Sequence, residues 1–179
     1  MTASFQTHEI RAVFAEFNQK CIAVVGDVMV DSYIWGSVER ISPEAPVPIL
    51  NCSKREDRLG GAANVVLNIK ALGARPLTLS VIGTDDTSIV FKQRMEANQL
   101  HTGGLFESSE RPTTRKTRML GGKQQLLRVD EEITDLISGK LESDFIAHCI
   151  LQLNAQKVDA LIFQDYDKGV VTQRVIAEL

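Results

Sequence analysis

A run of basic residues carries the strongest chemical signal in this 179-residue sequence. Between positions 111 and 128 it contains no Asp or Glu and six basic residues, namely Arg111, Arg115, Lys116, Arg118, Lys123 and Arg128. The whole chain, in contrast, has a formal net charge of −3. Unneutralised positive charges on one small sheet repel one another, and an anion such as a phosphate relieves that repulsion while accepting charge-assisted hydrogen bonds. Natural sheets also use Lys and Arg to protect an edge from aggregation, but six charges exceed that need, so we favour anion binding.

The spacing within this run predicts a β-hairpin. Gly121-Gly122 is typical of a two-residue turn between two strands. With these two glycines as the loop, Arg118 faces Gln125 across the ladder. The alternation of side chains then places Lys116, Arg118 and Gln125 on one face and Arg128 on the other.

A second candidate site is the small-residue segment that begins with Gly60-Gly61 and ends at Asn64. Two glycines and two alanines allow a backbone to approach a ligand closely at the start of a helix, where free N–H groups point outward. Asn64 offers both a donor and an acceptor, which suits a hydroxyl group. The segment is neither a P-loop nor a G-x-G-x-x-G motif. A tight turn with small residues for helix packing is the alternative interpretation.

Charged residues follow the first and the last predicted strand. Asp27 and Asp31 come after the first, and Asp165 and Lys168 come after the last. In open α/β sheets, ligands bind beyond the carboxyl ends of the strands. The carboxylates of Asp27 and Asp31 are therefore candidates to hydrogen-bond the hydroxyl groups of a polyol. Asp165 is a candidate to reach a metal-bound phosphate, and Lys168 a phosphate oxygen. The alternative is that these residues only stabilise turns.

The elements that position these residues alternate between strand and helix. We predict strands at 21–25, 77–82, 105–106 and 158–163, and helices at 10–17, 60–72, 89–95, 136–153 and from Thr172 onward. This alternation indicates a parallel sheet with helices on its faces. The proline-rich stretch 41–50 and the Gly-Gly hairpin break the pattern, and we interpret them as a small β excursion from the α/β core.

Composition limits the function classes. Apolar residues make up 44% and charged residues 24%, as in an ordinary globular protein. The slightly acidic balance gives no attraction to nucleic acid or to an anionic membrane, and no apolar run approaches the roughly 20 residues that span a bilayer. Three widely spaced cysteines suggest neither a disulfide framework nor a zinc site. We expect a cytoplasmic protein without a nucleic-acid or membrane partner.

Taken together, several motifs resemble the PfkB/ribokinase family of carbohydrate kinases. The segment 60–64, followed by Gly73 and Gly83, is similar to the N-terminal signature of that family, although Val66 stands where a small residue is usual. The segments 40–48, 114–118, 124–130 and 165–169 resemble the branch that phosphorylates heptose phosphates. The resemblance covers residues 21–169.

The resemblance implies an α/β fold. Residues 1–179 would form the N-terminal part of a carbohydrate kinase domain. That domain would be a ribokinase-like three-layer (Rossmann-like) sheet with a small β lid, the C-terminal half of the fold being absent. The lid segments would be about 33–58 and 105–130, and in this family the lid commonly pairs with a second subunit, so the resemblance implies a homodimer.

The resemblance also implies an activity and a set of site residues. Members of this branch use ATP and Mg²⁺ to phosphorylate O1 of D-glycero-β-D-manno-heptose 7-phosphate in lipopolysaccharide precursor synthesis, often as the first domain of a bifunctional kinase/adenylyltransferase. The residues implied for the sugar hydroxyls are Asp31, Gly60, Gly61 and Asn64. Those implied for the sugar phosphate are Lys116, Arg118, Gln125 and Arg128. Asp165 and Lys168 are implied near the phosphate that binds Mg²⁺.

One part of the family pattern is missing. The family has its catalytic base in a Gly-Ala-Gly-Asp segment, which does not occur in this sequence. Phosphoryl transfer depends on positioning and on neutralising charge around the transferred group, so we expect no catalytic residue within this chain and no transfer by it alone. A non-catalytic module that binds a sugar phosphate or dimerises, or a kinase for another sugar, are the alternatives.

Overall fold

The structure is a computed structural model that describes residues 7–179. The helices of this part are Thr7–Glu16 (α1), Ala62–Ala71 (α2), Asp86–Ala97 (α3), Gly139–Gln156 (α4) and Gln173–Glu178 (α5). The strands are Cys21–Gly26 (β1), Val28–Ile41 (β2), Pro48–Gly61 (β3), Arg75–Ile82 (β4), Leu105–Glu107 (β5), Arg115–Gly121 (β6), Gln124–Glu131 (β7) and Ala160–Gln164 (β8).

Four strands form a parallel sheet in the order β5-β4-β1-β8, which confirms the predicted sheet. Successive residues of β1 point to opposite faces, so Val24 packs with Val66 of α2 and Phe91 of α3, whereas Val25 packs with Phe145 of α4. The apolar side chains on both faces of the sheet are buried against helices. The core is therefore a three-layer α/β arrangement.

The other four strands form the lid sheet, in the order β3-β2-β6-β7. β2 pairs with β3 antiparallel and with β6 parallel, and β7 is antiparallel to β6. The prolines of the segment 41–50 lie where β2 ends and β3 begins, because proline cannot donate to a ladder. The second lid segment is shorter than predicted, since Leu105–Glu107 pairs with β4 in the core sheet and the lid resumes only at Arg115.

A single residue, Asp27, separates β1 of the core sheet from β2 of the lid sheet. β1 ends at Gly26 and β2 begins at Val28, so no longer loop separates these two strands. The Asp27 side chain is only 1% exposed. A Cβ at Gly26 would collide with the carbonyl oxygen of Gln164, so glycine permits the close approach of β1 and β8 at this point.

The ends of the chain follow the sequence prediction in outline. α1 forms where the apolar periodicity predicts it, although Ile10, Val13 and Phe14 are about half exposed. Thr172 caps α5 as expected, because its hydroxyl accepts a hydrogen bond from the N–H of Val175 at 3.0 Å. No helix within residues 7–179 is long and apolar enough to cross a membrane.

Candidate functional site

A cavity of about 540 Å³ lies between the lid sheet and the start of α2. Eight of the ten site residues predicted from the sequence line it: Asp31, Gly60, Gly61, Asn64, Lys116, Arg118, Arg128 and Lys168. Gln125 and Asp165 do not. Of the residues that sequence reasoning did not single out for binding, Met29, Tyr33, Arg58, Leu59 and Tyr166 also line the cavity.

The lid sheet presents two rows of paired residues to this cavity. The first row runs across all four strands as Arg58, Asp31, Lys116 and Asp130. The second row, two residues further along each strand, is Glu56, Tyr33, Arg118 and Arg128. Paired residues of neighbouring strands point to the same face, so these eight side chains lie together. The period of two along each strand thus explains why charged residues at alternate positions converge here.

The observed register corrects the predicted hairpin. The turn consists of Gly122 and Lys123, not of Gly121-Gly122, and the ladder shifts by one residue between Met119 and Leu120. Arg118 therefore faces Arg128 instead of Gln125. This shift places Arg128 in the cavity and leaves Gln125 exposed near the tip of the hairpin. The predicted pairing of Gln125 with Arg118 was wrong, because the displaced turn puts Gln125 opposite Leu120, nearer the tip and outside the cavity lining. The β-bulge inverts the face of the β7 residues beyond it and so brings Arg128 to the face of Arg118.

The expectation that the basic residues are unneutralised was also wrong. Each basic residue that lines the cavity is paired with a carboxylate. The pairs are Arg58–Glu56, Lys116–Asp130, Lys116–Glu132, Arg118–Asp31, Arg128–Asp130 and Lys168–Glu132. These carboxylates hold the cationic groups in place, and all of them come from outside the segment 111–128. Anion binding at this site therefore depends on the N–H donors that the carboxylates leave available.

Glu132 connects the lid to the core. One of its carboxylate oxygens accepts a hydrogen bond from Lys116 at 2.6 Å, and the other lies 3.1 Å from the ammonium group of Lys168. Burial alone raises the pKa of Glu132, but the two lysines outweigh it and hold the pKa below its usual value. Burial likewise lowers the pKa of Lys116, yet the bonds to Glu132 and Asp130 leave it raised. Both groups are therefore ionised at neutral pH.

The glycines at the end of β3 bring the backbone close to the cavity. A Cβ at Gly60 would collide with the carboxylate of Asp31. Gly61 has a φ of +58° and ends β3 immediately before α2, whose first residue donates its N–H to the Asp27 carbonyl at 2.9 Å. Asn64, on the first turn of α2, is exposed and lines the same cavity. The predicted backbone approach at a helix start is therefore present.

Asp27 organises the loop after β8. Its buried carboxylate accepts hydrogen bonds from the N–H groups of Tyr166 at 2.8 Å, Lys168 at 3.1 Å and Val170 at 3.0 Å. This arrangement places Lys168 at the cavity. Asp165, in contrast, is exposed, and its carboxylate accepts a hydrogen bond from the N–H of Asp167 at 2.7 Å.

Arg111 has a structural role rather than a place at the cavity. It is buried and donates to the carbonyl oxygens of Ile133 and Lys168. Burial lowers its pKa, which Asp27 and Asp135 partly oppose. One of the six basic residues in the run therefore connects the backbone segments that carry Glu132 and Lys168.

The described residues do not fit a magnesium site. Within residues 7–179, no group of three or more His, Cys, Asp or Glu side chains is placed to hold a metal ion. Asp165, the predicted phosphate-proximal carboxylate, bonds within its own turn. The arrangement that is present can bind hydroxyl groups and an anion.

The comparison with known proteins agrees with this geometry. Residues 19–177 match the sequence profile described as pfkB family carbohydrate kinase. The chain belongs to this family. The match confirms the resemblance to this family that the segment 60–64, followed by Gly73 and Gly83, indicates.

Among the curated relatives of this pfkB family chain is the bifunctional protein HldE of Citrifermentans bemidjiense, which is 38% identical over 96% of the chain. The bifunctional protein HldE of Helicobacter acinonychis is 42% identical over 87% of the chain. The alignments cover 35% and 34% of these relatives, so the chain spans about a third of their length.

Solved structures of sugar kinases share the fold of this pfkB family chain. Phosphofructokinase-2 from Escherichia coli, solved in complex with fructose-6-phosphate, superposes with a TM-score of 0.60 at 13% identity. The match covers 89% of this chain and 49% of that structure. The fold is therefore ribokinase-like, and the chain spans about half the length of that kinase.

Proposed function

We propose that this chain is the sugar-binding part and lid of an ATP-dependent carbohydrate kinase. The acceptor is D-glycero-β-D-manno-heptose 7-phosphate, phosphorylated at O1 in lipopolysaccharide precursor synthesis. The observation that carries this proposal is a single cavity that combines a hydroxyl-binding edge, at Asp31 and Asn64, with arginine and lysine side chains suited to a phosphate.

The two kinds of group suit the two ends of a sugar phosphate. A carboxylate oxygen of Asp31 and the amide of Asn64 can hydrogen-bond to hydroxyl groups, which both donate and accept. Arg118 and Arg128 offer planar guanidinium groups that match the oxygens of a phosphate. An acceptor held at both ends presents one hydroxyl in a fixed place, which is the main contribution that a protein makes to phosphoryl transfer.

The choice of a heptose phosphate rests on the segments that resemble that branch of the family, above all residues 40–48, and on the HldE relatives. ATP with Mg²⁺ supplies the phosphoryl group in a complete kinase. Residues 7–179 contain no metal site, so we assign them the binding of the acceptor alone.

Titration calorimetry with heptose 7-phosphate and with the unphosphorylated heptose tests this assignment. We expect the chain to bind heptose 7-phosphate at least tenfold more tightly, because only that ligand reaches the guanidinium groups. Fructose 6-phosphate serves as the competitor that tests for another sugar. Equal affinity for the two heptoses, or no binding of either, contradicts the proposal.

A non-catalytic module that binds a sugar phosphate is the second candidate. It is favoured by the cavity itself, whose lining supplies donors and acceptors for binding a ligand. A coupled assay that follows ADP formation from ATP, Mg²⁺ and heptose 7-phosphate distinguishes the two. Turnover by the purified chain contradicts the module, whereas binding without turnover supports it.

We further propose a homodimer formed through the lid in the cytoplasm. Leu127 is 53% exposed and alternates with Arg128, so it lies on the face of the lid sheet opposite the cavity. Val129 shares that face and is also exposed, and a second copy would cover both side chains. Light scattering on the chain and on Leu127→Glu tests the dimer, which the variant should weaken.

The proposed cytoplasmic location rests on the cysteines. The thiols of Cys21, Cys52 and Cys149 are all free, which agrees with a reducing compartment.

A further inference from the structure

We propose that Arg58 is a third anion-binding guanidinium of the cavity and that it binds the phosphate of the acceptor together with Arg118 and Arg128. This inference rests on the proposed function for the identity of the ligand. Sequence reasoning did not single out Arg58, because it lies outside the basic segment 111–128.

The position of Arg58 supports this role. It lies on β3 directly beside Asp31, on the same face of the lid sheet as Lys116 and Arg118. It lines the cavity, and its side chain is 54% exposed. A ligand that enters the cavity therefore reaches this guanidinium without displacing a packed side chain.

Two contacts hold the guanidinium of Arg58 in place. Its Nε donates to Glu56 at 2.5 Å, and its central carbon lies 4.8 Å from the centre of the Tyr33 ring. Arg118 approaches the same ring, at 5.3 Å. Tyr33 thus positions two of the three arginines, and an arginine that is already ordered loses less freedom when it binds an anion.

The remaining donors of Arg58 are available to a ligand. Among residues 7–179, neither of its terminal nitrogens has a hydrogen-bond partner, because Glu56 bonds to Nε alone. Arg128 shows the same arrangement on the other side of the cavity, where its Nε pairs with Asp130 at 2.9 Å. In both cases the carboxylate lies two residues away on the same strand. Each pair leaves the two terminal nitrogens for a bidentate contact with phosphate.

Glu56 remains charged under all ordinary conditions. The hydrogen bond from Arg58, together with one from Lys54, lowers the pKa of Glu56 to about 2. The carboxylate that orients Arg58 is therefore ionised across the pH range of binding experiments.

A purely structural role for Arg58 makes a different prediction. An exposed ion pair such as Arg58–Glu56 contributes little to the stability of the fold. If Arg58 only maintained the shape of the cavity, its replacement would change the affinity for every ligand of the cavity by a similar factor. An anion-binding role changes only the affinity for ligands that carry phosphate. The ratio between phosphorylated and unphosphorylated ligand therefore separates the two roles.

The experiment compares Arg58→Gln with Arg55→Gln in the full chain. Arg55 lies on the same strand, is exposed and points to the opposite face, so it is a matched control. Trp35, the single tryptophan, stacks on Tyr33 with ring centres 5.4 Å apart and reports on the site by its fluorescence. Fluorescence and calorimetry follow titrations with inorganic phosphate, heptose 7-phosphate and unphosphorylated heptose.

We expect Arg58→Gln to weaken the binding of both phosphate-bearing ligands about tenfold, to leave heptose binding unchanged and to differ from Arg55→Gln. A loss below threefold, or an equal loss for heptose, overturns the role of Arg58 and leaves the proposed function standing. If the unaltered chain binds inorganic phosphate but does not distinguish the two heptoses, the proposed function fails, and the phosphate titration alone decides the role of Arg58. If the unaltered chain binds no phosphate-bearing ligand, both proposals are overturned.

Discussion

Arg118 on β6 lies directly opposite Arg128 on β7, so two guanidinium groups are cross-strand neighbours on the surface of the cavity. Like charges in this position destabilise a sheet. Asp31 accepts a hydrogen bond from Arg118 at 2.5 Å and Asp130 pairs with Arg128 at 2.9 Å, which offsets the repulsion without using all the donors. A phosphate bound between the two arginines would complete the charge balance.

The first prediction concerns Arg128. Arg128→Gln should weaken the binding of heptose 7-phosphate about tenfold, because a charge-assisted contact is lost, while the melting temperature stays the same or rises slightly as the repulsion from Arg118 disappears. Calorimetry and thermal denaturation measure the two effects. Lys123→Gln, in the turn of the same hairpin and outside the cavity, is the control. A similar loss of affinity in both variants would show that only the overall charge matters.

The second prediction concerns the two glycines at the end of β3. Gly60→Ala pushes a methyl group against the carboxylate of Asp31 and should weaken the binding of both heptoses about tenfold. Gly61→Ala forces a side chain into a left-handed conformation with φ +58° and against the carbonyl of Asp27, so it should lower the free energy of unfolding by about 1–3 kcal/mol.

Calorimetry and chemical denaturation measure these two changes. Gly103→Ala is the control, because a Cβ there meets open space and the backbone does not require glycine. Wild-type heptose affinity in Gly60→Ala would show that Asp31 does not bind the sugar.

The third prediction concerns Asp27. Asp27→Asn replaces one acceptor oxygen by an N–H₂ group that faces backbone donors, and it should cost about 2–4 kcal/mol of unfolding free energy. Hydrogen exchange should accelerate at the amides of Tyr166, Lys168 and Val170. Asp165→Asn, which removes a single exposed acceptor, should cost less than about 1 kcal/mol. Unchanged exchange at the three amides would contradict the organising role of Asp27.

The fourth prediction is a pH dependence that originates at Glu132. Its pKa is lowered in the folded state, so its stabilising contribution is present above its usual pKa of 4.5 and is lost as the pH falls through the lowered value. The pKa of Lys116 is raised, so that contribution is present below 10.5 and is lost as the pH rises beyond the raised value. Glu132→Gln should therefore flatten the fall in unfolding free energy between pH 5 and pH 3.

Denaturation at a series of pH values tests this, with a cost of about 1–2 kcal/mol expected at pH 7. Glu131→Gln, on the opposite face of β7, should keep the pH dependence of the unaltered chain. Parallel curves for the unaltered chain and Glu132→Gln would contradict the prediction.

Sequence reasoning predicted the core better than the lid. The apolar runs of β1 and β4 and the cap at Thr172 are local signals, and the structure confirms them. The register of the hairpin is not local, because a bulge between Met119 and Leu120 depends on how β7 packs along β6. The unexpected position of Arg128 follows from that bulge, whereas the new partner of Gln125, Leu120, follows from the turn at Gly122 and Lys123.

Arg58 and Arg111 show the two ways in which counting charges fails. Arg111 belongs to the basic run, yet burial turns it into a structural donor to carbonyl groups. Arg58 stands outside the run, but it is two residues from Gly60, and the period of a strand puts it on the same face. That spacing is the signal by which Arg58 could have been found from the sequence.

The one-residue connection at Asp27 has a mechanical consequence. β1 and β2 form a nearly continuous extended ribbon, so a rotation of the lid against the core has to be taken up by the backbone torsions around Asp27. The same residue holds the backbone of Lys168, so such a rotation would shift the ammonium group of Lys168 as the lid moves. Such a rotation and the orientation of this lysine would therefore be coupled through the backbone and the carboxylate of Asp27.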